Sequence, residues 1–78
     1  MVRFVLKEET TEKVVYEYFP ENGLDSGFVM YDKNEEKFLI IELAKNDYHQ
    51  RYVQKVILKI RDFVTANSFQ NEGIVAWY

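Results

Sequence analysis

The chain has 78 residues, 47% of them hydrophobic and 17% aromatic, and a formal net charge of −3. That length allows one domain, residues 1–78, and no second core, while the apolar share excludes intrinsic disorder. With no cysteine, a disulfide framework and a thiolate zinc site are both excluded.

No apolar run reaches the length of a membrane span, and residues 1–7 are too short and too soon charged for a signal peptide. These features lead to the expectation of a cytoplasmic protein with no membrane partner. A domain this small gains stability by association, so a homodimer is expected. The charge is uneven. Residues 1–44 carry five basic and ten acidic side chains, a balance of −5, whereas residues 45–78 carry five basic and three acidic, a balance of +2.

Residues 2–7 alternate as a strand, with Val2, Phe4 and Leu6 on one face, and residues 8–12 form a charged turn. Residues 13–19 make a second strand in which Val14, Tyr16 and Tyr18 alternate with Val15, Glu17 and Phe19, so both faces are largely apolar. Pro20 and the Asn22-Gly23 pair break it. Residues 27–32 and 37–43 read as a hairpin joined by a polar turn, with Leu39, Ile41 and Leu43 on one face of the fourth strand and Phe38, Ile40 and Glu42 on the other.

The period then lengthens. Asp47 and Gln50 form a D-x-x-Q capping pattern that predicts a helix over 47–66. At 100° per residue, Tyr48, Tyr52, Val53, Val56, Ile60 and Phe63 fall on its apolar face. Asn67 is a stop signal, and Phe69 is an anchor for the loop that follows. The chain ends in GIVAWY, β-branched and aromatic behind Gly73. This run predicts a fifth strand over 74–78 with Trp77 buried against the fold or across a dimer contact.

The chemistry-bearing residues are few. His49 falls near the middle of the helix's apolar face, beside Asp47, Tyr48 and Tyr52, and could centre a small enzyme. Serine, its most common nucleophilic partner, occurs only at Ser26 and Ser68. One histidine without cysteine predicts no metal site, and three glycines without a phosphate-binding spacing predict no nucleotide cofactor. Tyr16, Tyr18, Phe28, Tyr31, Phe38 and Trp77 supply rings that an open sheet face could offer to unpaired bases, and Lys13, Lys37, Lys55 and Lys59 supply charge. The first four strands, however, are acidic, which disfavours nucleic acid.

The reading that follows is an α+β fold: a four-stranded antiparallel meander, one long helix on one face and a short fifth strand, in the order β-β-β-β-α-β. One helix covers one face, so the other face or an edge must stay bare or meet a partner. The expected function is a non-catalytic interaction domain that self-associates, with Tyr16, Tyr18, Tyr31, Phe38, Leu58 and Trp77 as candidate surface residues. Single-stranded nucleic-acid binding is the alternative, and an enzyme centred on His49 the third.

Overall fold

A computed structural model describes residues 1–76. Its elements are β1 (Val2–Glu9), β2 (Lys13–Pro20), β3 (Gly27–Asp32), β4 (Lys37–Glu42), α1 (Arg51–Ala66) and β5 (Glu72–Val75). The strands form a single five-stranded sheet in the order β4-β3-β2-β1-β5, with every pair antiparallel. The chain leaves the meander at the β4 edge, crosses the sheet as α1, and returns as β5 at the opposite edge. This is the expected α+β architecture, with the fifth strand at Glu72–Val75. The expectation for Trp77 lies outside the described residues.

Cross-strand partners share a face, so the register sorts the side chains. Val2, Phe4, Val14, Tyr16, Tyr18, Val29 and Tyr31 point to the helix and are buried with Val53, Val56, Ile60 and Phe63 of α1. Phe4, Tyr16 and Phe63 pack as a ring cluster, with centroids 5.6–6.1 Å apart. Gly73 of β5 lies under Phe4: a β-carbon there would come within 2.7 Å of the ring. Gly27 is equally constrained, because a β-carbon would press on the Glu42 carbonyl and sit 2.6 Å from both the Ala44 nitrogen and the Tyr18 ring.

Two local expectations are corrected. The helix begins at Arg51 rather than Asp47, after a single 3-10 turn at Tyr48–Gln50. His49 and Gln50 adopt left-handed backbone angles, with φ of 61° and 59°, which interrupt the helical path. Asp47 nevertheless caps α1 from a distance: its carboxylate accepts hydrogen bonds from the Tyr52 and Val53 amides at 2.8 and 3.0 Å. At the other end the expected stop is found. Asn67 is left-handed, its N–H donates to Val64 O, and the Ser68 N–H donates to Phe63 O.

The second correction concerns β4. The register jumps from Val29↔Ile40 to Phe28↔Glu42, which leaves Ile41 as a bulge. Glu42 is thereby shifted onto the face of Leu39, opposite to that of Phe38 and Ile40.

Candidate interaction surface

The face turned away from the helix is arranged in rows across the strands. One row carries Glu72, Val5, Glu17, Phe28 and Glu42. The next is apolar, with Val15, Met30 and Leu39, and beyond it lie Lys13, Asp32 and Lys37. Toward β1 the charges are tied down. Glu17 is 3.4 Å from the Lys7 ammonium and accepts from the Ser26 hydroxyl at 2.7 Å. The Arg3 guanidinium lies 4.3 Å above the Phe19 ring and donates to Asn22 Oδ1.

At β4 the picture changes. The helix packs chiefly on β1, β2, β3 and β5; of β4 only Phe38 is half-buried against the core, and the other residues of the strand are exposed. Leu39 on the open face is 42% exposed, Ile40 on the helix face 36%, and the bulged Ile41 56%. Between β4 and the second half of α1 runs a groove of about 190 Å³, lined by Tyr31, Glu36, Phe38, Arg61, Val64 and Thr65. Leu58, 51% exposed, lies on the outer side of α1, away from the buried face of Val53, Val56, Ile60 and Phe63, and does not line this groove.

The sequence-derived candidates therefore separate. Tyr16, Tyr18 and Tyr31 are 0%, 0% and 7% exposed and belong to the core, because the helix covers the face of β2 that carries them. They are not surface rings. Phe38 is half-buried against Tyr31, with centroids 4.9 Å apart. Phe38 lines the groove beside β4, whereas Leu58 is exposed on the helix and does not join it. Trp77 lies outside the described residues.

The expected His49 cluster is not assembled. His49 is exposed, its left-handed backbone placing it before the helix rather than on the helix's apolar face. Asp47 is buried and turned inward, accepting from the Tyr18 hydroxyl at 2.9 Å as well as from the two helix amides. The Tyr18 hydroxyl also accepts from the Ala44 N–H, and burial, together with the Asp47 carboxylate, raises its pKa. The Tyr52 hydroxyl donates to Glu21, which also holds the Met1 ammonium at 2.9 Å. These two bonds lower the Glu21 pKa, that to the ammonium most. The Tyr18–Asp47 pair was not anticipated from the sequence, where Asp47 reads only as a cap. Among the described residues, no group of three or more acidic, histidine or cysteine side chains is placed to hold a metal ion, and no helix is long and apolar enough to cross a membrane.

The fold and surface define a small α+β domain with an antiparallel sheet. Compared with protein-family models, curated proteins and solved structures, the chain matches none.

Proposed function

We propose that this protein is a non-catalytic interaction domain that self-associates as a homodimer through the part of its sheet that the helix leaves bare. The observation that carries this reading is the exposure of Leu39, Ile40 and Ile41 on both faces of one edge strand. An apolar edge strand is a ready template for a further strand, and folded proteins ordinarily blunt such edges with charge, proline or a covering element. A domain of this size also gains much from shared burial. A cytoplasmic setting is part of the proposal, since the fold is built without a disulfide and needs no oxidising compartment.

The open face favours a protein partner over nucleic acid. Its half-buried rings, Phe19 and Phe28, stand among Glu17, Glu42 and Glu72, carboxylates that repel phosphate. Solution mass and binding of a fluorescent single-stranded oligonucleotide, each measured at low and high salt, separate the two readings. A dimer that survives high salt, with no oligonucleotide binding, supports self-association. A monomer that binds the oligonucleotide with a steep salt dependence refutes it.

A further inference from the structure

We infer that β4 pairs antiparallel with β4 of a second copy about a two-fold axis at Leu39, joining two sheets into one ten-stranded sheet. This inference rests on the self-association proposed above and specifies its geometry.

In a two-fold antiparallel pair the axis stands perpendicular to the sheet, so directly opposed residues must share a face. The segment Lys37–Glu42 has a cation at its start and an anion at its end. In an unbroken strand those two positions would lie on opposite faces and could never meet across such an axis. The bulge at Ile41 removes the obstacle. Lys37 pairs with Asp32, Leu39 with Met30 and Glu42 with Phe28, so all three project from the open face. Setting Leu39 against the partner copy's equivalent position then places each Lys37 opposite the other copy's bulged stretch, where Ile41 and Glu42 together face one residue. The end charges of the strand become two opposite-charge pairs, one on each side of the axis.

The apolar residues fit the same arrangement. The open-face row of Val15, Met30 and Leu39 continues through the axis into its own copy. On the helix face, Phe38 is set opposite Ile40 of the second copy. A face-to-face sandwich of the two open faces would cover Leu39 but not Ile40, which lies on the helix side. Edge pairing engages both. Among the described residues the other sheet edge offers a shorter strand, β5, of four residues that starts with Glu72 and Gly73.

The test uses the full chain and measures the dimer dissociation constant by analytical ultracentrifugation. Lys37→Glu and Glu42→Lys each set like charges across both pairs, and each should weaken the dimer about tenfold. Mixing the two variants in equal amounts should restore it, because the mixed dimer has two opposite-charge pairs again. An independent reading uses the absence of cysteine: a Leu39→Cys variant should form a disulfide-linked dimer under mild oxidation, whereas Ile74→Cys at the far edge should not. If the unmodified protein is dimeric but the charge variants dimerise unchanged and Leu39→Cys does not cross-link, the edge geometry is wrong while self-association stands. If the unmodified protein is monomeric at every concentration, both fail.

Discussion

Asp47 is 2% exposed, and its carboxylate ties the first turn of the helix to the second strand. Its carboxylate holds two helix amides and the Tyr18 hydroxyl at once. Asp47→Ala would strand three donors, two of them buried, and should cost about 2–4 kcal/mol in denaturant unfolding. A loss below half a kilocalorie would mean that water replaces the carboxylate. The core tyrosines set the response to alkali. Burial, assisted by Glu9, pushes the Tyr16 hydroxyl up to about 12, against about 10 for a solvated tyrosine. A raised pKa in the fold stabilises the protein fully below the unfolded value and ceases to do so as pH climbs through the folded one. Stability should therefore fall between about pH 10 and 12, by about 2–3 kcal/mol from Tyr16 alone. Tyr16→Phe should flatten that part of the profile in thermal melts recorded across this window, whereas an unchanged profile would contradict the assignment.

At the scale of elements, α1 and β5 hold the sheet from one face and one edge. Ile60 is 1% exposed at the centre of the helix–sheet contact, and Ile60→Ala should cost about 2–5 kcal/mol. The fifth strand pairs with β1 from Val2↔Val75 to Val5↔Glu72, and its entry is pinned where the Leu6 N–H donates to Asn71 O and the Tyr16 hydroxyl to Gln70 O. Deleting residues 74–78 should expose the β1 edge and lower the melting temperature well beyond experimental error. A truncated chain that melts like the full one would show that β5 is dispensable. The elements were legible because their periods differ: the 2-residue alternation of the strands gives way to a 3.6-residue face after Asp47. Two details were not. The helix start follows the local D-x-x-Q pattern only until His49 and Gln50 turn left-handed, and a long-range bond from Tyr18 draws Asp47 inward. The β4 bulge depends on its match to β3, which no single strand encodes.

For the whole molecule, the same limit decided the candidate surface. β2 is apolar on both faces, so alternation alone could not tell which face the helix would cover, and Tyr16 and Tyr18 are core. Phe38 gained meaning only once the topology placed β4 at an edge of the sheet. The most direct test of the account is sedimentation equilibrium of the intact chain over a wide concentration range, at low and high salt. The account predicts a mass that rises with concentration to about twice the 9.4 kDa of one chain, with only a modest loss at high salt, since apolar burial supplies most of the association. A mass that stays at 9.4 kDa throughout would contradict self-association.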